Sequence, residues 1–242
     1  MEEIKTQAIV LKAVDYKEGG KLLTLFSLEN GIIVAKIRGV SKPKAKLAFA
    51  AQPFCFGEYI LVEKAGYSVV NCSAIETFYN LTADFDRFVA ASQVLEIVSI
   101  LAREGEPNVS LFVEMLKAFK ALEFSSAAPL ALLIKFMIAA MGNAGYKMKL
   151  DECPICGSKN AVKEKFSLRR GAIMCAICSD NESISLSPAE SSIIRVINEN
   201  DYEKLQKIHF ASLESLIGVT KIFIKYFEEK TGEPLKVLRD YI

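Results

Sequence analysis

The sequence predicts an α+β protein: a small N-terminal β-barrel of the OB type, followed by an α-helical domain that carries an inserted four-cysteine module. Three observations carry that prediction. Between residues 6 and 76 the apolar residues come in short runs rich in β-branched and aromatic types, broken by glycine and charge. After Leu81 the apolar spacing lengthens to that of a helix. Cys153-x-x-Cys156 is followed, after 18 intervening residues, by Cys175-x-x-Cys178. The expected division is a barrel over residues 1–80 and a helical domain over 81–242, with the insertion at about 150–182.

The strand candidates are 7–14, 21–27, 31–38, 54–63 and 67–76. Asn30-Gly31 and Ala65-Gly66 supply turn chemistry between neighbours, because Gly and Asn tolerate positive φ. Five short strands in so short a stretch suit a closed barrel, which leaves no exposed edge. An OB-like barrel is expected, with an SH3-like barrel as the alternative. Cys55 and Cys72 fall in apolar, strand-like runs, where a free thiol behaves as a small hydrophobe.

In the second half, Phe85, Phe88, Val89, Ser92, Leu95 and Val98 share one helical face until Glu104-Gly105-Glu106-Pro107 stops the run. Asn108 is placed to cap a second helix through Leu111, Met115, Phe119 and Leu122, and Pro129 opens a third that ends near Gly142. The apolar stretch 127–141 is interrupted by Lys135 and is shorter than the ~20 residues a membrane span needs, so it reads as a buried helix. Ser187-Pro188-Ala189-Glu190 matches a capping box, with Ser at the N-cap, Pro at N1 and Glu at N3, and predicts a helix to about Asn198. Leu213, Leu216, Ile217, Thr220, Phe223, Ile224 and Phe227 mark a last long helix, closed by Thr231-Gly232 and Pro234. The cysteine segment thus falls between helices.

Bulk composition is that of a globular chain: 51% hydrophobic and 24% charged over 242 residues, with a formal net charge of +1. Any acidic partner must therefore be met by local clusters of Lys and Arg. The opening Met1-Glu2-Glu3-Ile4-Lys5 has neither the basic nor the apolar region of a secretory signal. Six cysteines without such a signal fit a reducing cytoplasm better than a disulfide framework.

The strongest chemical signal is the cysteine quartet. Each Cys-x-x-Cys turn aims two sulfurs inward, and the segment 161–173 is long enough for a hairpin that returns the second pair. Cys153, Cys156, Cys175 and Cys178 are the expected ligands of one structural Zn²⁺. Four thiolates fill a tetrahedral shell and leave no position for water or substrate, so no hydrolytic role is expected. Iron, or a redox-active dithiol, is the competing use of such a quartet. The segment 150–186 reads as poor in apolar residues, so metal is expected to supply its order, and loss of one cysteine to melt it.

The second signal is charge. No acidic residue lies between Glu29 and Glu58, while Lys36, Arg38, Lys42, Lys44 and Lys46 gather around Gly39 and Pro43. On a strand end running into a loop, such a cluster can neutralise phosphates and bind nucleic acid without reading its sequence. A solvated loop is the plainer reading of the same residues.

Catalytic motifs are missing. His209 is the sole histidine and has no evident partner, and Gly19-Gly20-Lys21 lacks the first glycine and the Ser/Thr of a phosphate loop. The weight falls on a binding protein that is not an enzyme.

Several of these segments together resemble the bacterial recombination-mediator family RecO along nearly the whole chain. They are Asp15-Tyr16-Lys17-Glu18, Lys21-Leu22-Leu23-Thr24-Leu25-Phe26 with Gly31, Arg38-Gly39, Lys42-Pro43-Lys44 and Gln52-Pro53-Phe54. Glu104-Gly105-Glu106-Pro107-Asn108 and the cysteine quartet followed by Leu186-Ser187-Pro188 belong with them. The resemblance implies an OB domain joined to a helical domain with a zinc-finger insertion. It also implies DNA repair by homologous recombination: binding single- and double-stranded DNA, annealing complementary strands, and helping RecR load RecA onto strands coated by single-stranded DNA-binding protein. One departure is Gly19-Gly20, where the family more often has a polar or acidic residue before the basic position matched by Lys21. Some members lack the cysteines, so the resemblance does not make the metal part of a shared chemistry. A zinc-stabilised scaffold that binds only proteins is the alternative function.

Overall fold

A computed structural model describes residues 3–17, 19–42, 44–64, 66–124, 128–159 and 161–238. Glu18, Pro43, Ala65 and Ala127, which figure in the motifs above, lie outside the described residues. The chain separates into two compact units, Met1–Ala83 with Val98–Val113, and Asp84–Ile97 with Glu114–Ile242.

The first unit is built on β1 (Glu3–Tyr16), β2 (Gly20–Ser27), β3 (Gly31–Ile37), β4 (Phe56–Lys64) and β5 (Gly66–Glu76). They close into a barrel of order β1-β2-β3-β5-β4, with β3 and β5 parallel and every other pair antiparallel. This is the OB-like arrangement. β1 is long enough to pair with both β2 and β4, and a bulge between Val10 and Lys12 bends it from one partner to the other. Alternate residues Ala8 and Val10, Leu23 and Leu25, and Ile33, Ala35 and Ile37 point into the barrel core. A register shift on β5 pairs Ile60 with Asn71 but Leu61 with Val69, so Val70 is squeezed outward and Val69 and Cys72 both face in. A short 3₁₀ turn (Phe49–Ala51) adds Ala50 and Ala51 to this core, and the Tyr59 hydroxyl donates to the Ala50 carbonyl at 3.0 Å.

Gly31, at the β2–β3 turn, has φ +65°, and a Cβ there would meet the Arg103 and Glu106 carbonyl oxygens at 2.4 Å. Only glycine lets the hairpin come this close to the 103–106 loop, whose Arg103 carbonyl also accepts from the Ile32 N–H at 2.9 Å. Phe112 packs its ring against Phe26 and Phe56, with centroids 5.4 and 5.7 Å away.

The remaining helices are α1 (Phe85–Leu101), α2 (Val109–Phe124), α3 (Pro129–Asn143), α4 (Pro188–Glu199), α5 (Tyr202–Leu205) and α6 (Leu213–Thr231). α1 and α2 each run from one unit into the other. The expected caps form: Asn108 accepts from the Leu111 N–H, the Ser187–Glu190 box closes on both sides, and Gly232 ends α6 in the left-handed region. α1 departs from expectation at its start, where Phe85 and Phe88 remain exposed, while Val89 through Val98 bury nearly every face. α3 is the buried helix foreseen in the apolar stretch. Its Lys135 reaches the Ile197 and Asn198 carbonyls at 3.3 and 3.1 Å, so the charge meets the negative end of α4 and its stem stays in the core. Burial lowers the Lys135 pKa, an effect that Glu114 and Asp201 oppose.

Two features have no counterpart in the sequence pattern. α5 is a single turn capped by Asp201. The segment after α6 folds back on α1, where the N–H groups of Lys236 and Val237 donate to the Glu96 carboxylate and that of Leu238 to the buried Gln93. No helix among the described residues is long and apolar enough to cross a membrane.

Candidate metal centre and nucleic-acid interface

Between α3 and α4 the chain makes a three-stranded sheet, β6 (Glu164–Ser167), β7 (Ala172–Cys175) and β8 (Ile184–Leu186), in the order β7-β6-β8. β6 and β7 are the expected hairpin, and β8 is an addition. Two matching turns flank it: the Gly157 N–H donates to the Cys153 carbonyl at 2.9 Å, and the Ser179 N–H to the Cys175 carbonyl at 3.0 Å. Each turn lifts its two thiols to the same side, and the hairpin brings the pairs face to face.

The four sulfurs of Cys153, Cys156, Cys175 and Cys178 lie within 4.8 Å of one another. The Cys156 and Cys175 sulfurs are 3.7 Å apart. A tetrahedral ion with metal–sulfur bonds of about 2.3 Å needs sulfur–sulfur edges of about 3.8 Å, so these residues fit one such ion. Cys153 and Cys175 are buried, and Cys156 is exposed. Burial raises the Cys153 thiol, but bonds from the backbone of Cys156, Cys175 and Ile155 outweigh it and bring it down to about 6. Cys178 is pushed the other way, up to about 12, by its bonds with Cys175 and Cys156 and by the neighbouring charge. So close a set resists becoming four thiolates unless a cation balances it.

The module is less dependent on metal than its composition suggested. Phe166 is fully buried, with ring centroids 5.6 Å from Phe223 and 5.7 Å from Tyr226 of α6. Tyr226 in turn donates to the Tyr146 carbonyl at 3.1 Å. Glu164 on β6 meets Arg195 on α4 at 2.6 Å, with both side chains largely buried. Burial opposes ionisation of Glu164, but the Arg195 bond overrides it and holds the carboxyl below its usual range. Leu150, Ile173, Met174 and Leu186 are also buried. The expectation that the whole of 150–186 lacks apolar support is therefore corrected: the hairpin docks on helices, and the thiol turns pack on the hairpin through Cys153, Cys175, Ala172 and Met174.

The basic residues occupy the barrel. Lys36 lies on β3 opposite Leu22, and Arg38 follows the strand end, exposed. Lys42, Lys44 and Lys46 are exposed on the turns that follow. The Ser41 N–H donates to the Gly19 carbonyl at 3.3 Å, which ties the root of this loop to the β1–β2 turn. Lys36, Ile37 and Arg38 share an open groove of about 540 Å³ with Tyr16, Lys17 and Gly20. The ammonium groups of Lys17 and Lys36 stand 5.4 and 5.8 Å from the Tyr16 ring centre. Lys42, Lys44 and Lys46 do not line it. Neither Tyr16 nor Lys17 belongs to the charge run, and only closure of the barrel brings them to Lys36 and Arg38.

An OB-like barrel with a basic rim, joined in one chain to a helical domain bearing four thiols that could hold a metal ion, defines a class of barrel-and-finger proteins. Comparison with known proteins makes the class specific. The profile "Recombination protein O N terminal" matches residues 1–78, and "Recombination protein O C terminal" matches residues 82–239. The chain belongs to the recombination protein O family. It is similar to proteins named DNA repair protein RecO: 28% identical to that of Desulforamulus reducens, over 95% of this chain and 91% of the relative. Identity with the Clostridium perfringens protein is 26% over 99% and 98%. With that of Pelotomaculum thermopropionicum it is 38% over 74% and 69%.

Proposed function

We propose that this protein is a non-enzymatic mediator of DNA repair and homologous recombination in the cytoplasm, which binds single- and double-stranded DNA and anneals complementary strands. In this reading it works with RecR to load RecA onto strands coated by single-stranded DNA-binding protein. The observation that carries the reading is the basic stretch on an OB-like barrel in a chain of the recombination protein O family. Lys36, Arg38, Lys42, Lys44 and Lys46 neutralise backbone phosphates, so two strands approach and pair with no bond made or broken by the protein. The functional division is 1–80 for DNA and 81–242 for protein partners. The ion held by Cys153, Cys156, Cys175 and Cys178 is zinc, in a closed structural site.

The test is a titration of a fluorescent single-stranded oligonucleotide at two salt concentrations, with the wild-type protein and a Lys42→Glu, Lys44→Glu, Lys46→Glu variant that retains its fold. Salt-sensitive binding that the triple change abolishes is the expected result, with each lost phosphate contact reducing the salt slope by about 0.7. Equal binding by both moves the DNA surface off this loop. Absence of binding by either replaces the reading with a zinc-stabilised protein scaffold.

A further inference from the structure

We propose that Tyr16 is a base-stacking platform, and that the groove around it seats one nucleotide of a single strand, base on the ring and phosphates on Lys17, Lys36 and Arg38. This rests on the DNA-binding reading above and adds to it a residue that recognises the base.

Among the described residues, the groove is lined by the Tyr16 ring, the cations Lys17, Lys36 and Arg38, and Gly20 and Ile37. Its volume of about 540 Å³ lies in the range of roughly 300–1,000 Å³ found for small-molecule sites. Tyr16 differs from the other tyrosines of the barrel. Tyr59 belongs to the apolar core, and Tyr67 packs partly against it. Tyr16 stands at the end of β1, half-buried, outside that core, with two ammonium groups drawn up to its ring.

The negative π face of a tyrosine draws ammonium groups to it and can equally take the flat face of a base. An arriving nucleotide offers both groups something better: the base takes the ring, and the phosphates take the ammonium groups. Gly20 pairs directly with Tyr16 across β1 and β2. A Cβ there would stand 2.9 Å from the Ile37 and Tyr16 carbonyl oxygens, so no side chain fills the groove from that position. Bases inside a duplex keep their faces stacked on one another, so a platform of this kind favours single strands.

The chain contains no tryptophan, so Tyr16→Trp places its sole indole in the groove. Titrating that full-length variant with oligothymidylate is expected to quench the indole saturably, while an abasic strand of equal length binds without quenching. Tyr16→Ala is expected to weaken single-strand binding about tenfold, or about 1.4 kcal/mol. It should leave duplex affinity and the salt slope unchanged, since no charge is removed, and Tyr16→Phe should bind as wild type. An unquenched indole, with Tyr16→Ala binding like a wild-type chain that itself binds DNA, overturns the platform and leaves the DNA reading intact. Equal loss of single-strand and duplex binding by Tyr16→Ala with an unquenched indole overturns it in favour of a merely structural tyrosine. No binding by the wild-type chain removes both readings together.

Discussion

Cys55 and Cys72 belong to the barrel unit, and Cys153, Cys156, Cys175 and Cys178 to the helical unit, with the same thiol in opposite settings. In the barrel the two cysteines are 1% and 6% exposed and pack with Tyr59 as apolar volume. The Cys72 thiol is raised by its bond with Cys55 and by burial, and the Tyr59 phenol by burial, so both stay protonated. In the module the thiols sit on tight turns, in pairs, beside N–H groups that favour the thiolate. The lesson is that backbone context decides the chemistry: placement in the apolar barrel core makes cysteine a filler, and paired placement on turns suits it to be a ligand.

The sharpest way to break this comparison is Cys175→Ser. On the proposed zinc assignment, bound zinc is expected to fall from one per chain to below a tenth by elemental analysis, against a binding free energy on the order of 10 kcal/mol for such sites. Hydrogen exchange should quicken in 151–159 and 176–182, while β6 and α6 keep their protection. Loss of protection across the entire module would mean that the metal, not the apolar docking, holds the hairpin. Phe166→Ala tests the other anchor and is expected to cost about 3–5 kcal/mol in urea unfolding with zinc still bound. The smallest effect belongs to the barrel pair: Cys55→Ala with Cys72→Ala should cost about 1–2 kcal/mol in urea unfolding and leave the zinc content unchanged. A fall in zinc there would undo the division between the two groups.

What was legible in the sequence was whatever short-range chemistry determines. All five barrel strands, the Asn108 and Ser187 caps, the Gly232 stop and the convergence of the cysteine quartet follow from spacing and turn residues. What escaped depends on distant contacts. Phe166 looks like an ordinary strand residue until α6 supplies Phe223 and Tyr226. β8 has three residues and exists because β6 offers it an edge. Phe85 and Phe88 share a helical face with Val89 and Leu95, yet sit beyond the part of α1 that the core covers. Lys135, which seemed an interruption in an apolar run, is the cap of a helix more than 60 residues later.

The segment that returns to α1 bears on how the molecule is born. Leu238 lies 145 residues after Gln93, the buried amide that its N–H satisfies. At about 5–20 residues per second, a ribosome needs roughly 7–30 s to travel from one to the other. The five barrel strands can find each other long before that, because their partners all lie within residues 3–76. α1 leaves the ribosome with Gln93 and Glu96 able to bond each other but without the N–H groups of 236–238 that they accept from. The helical core therefore closes last, when synthesis has passed residue 238, and a truncation just before Leu235 removes two fully buried leucines together with the N–H groups that Gln93 and Glu96 accept from.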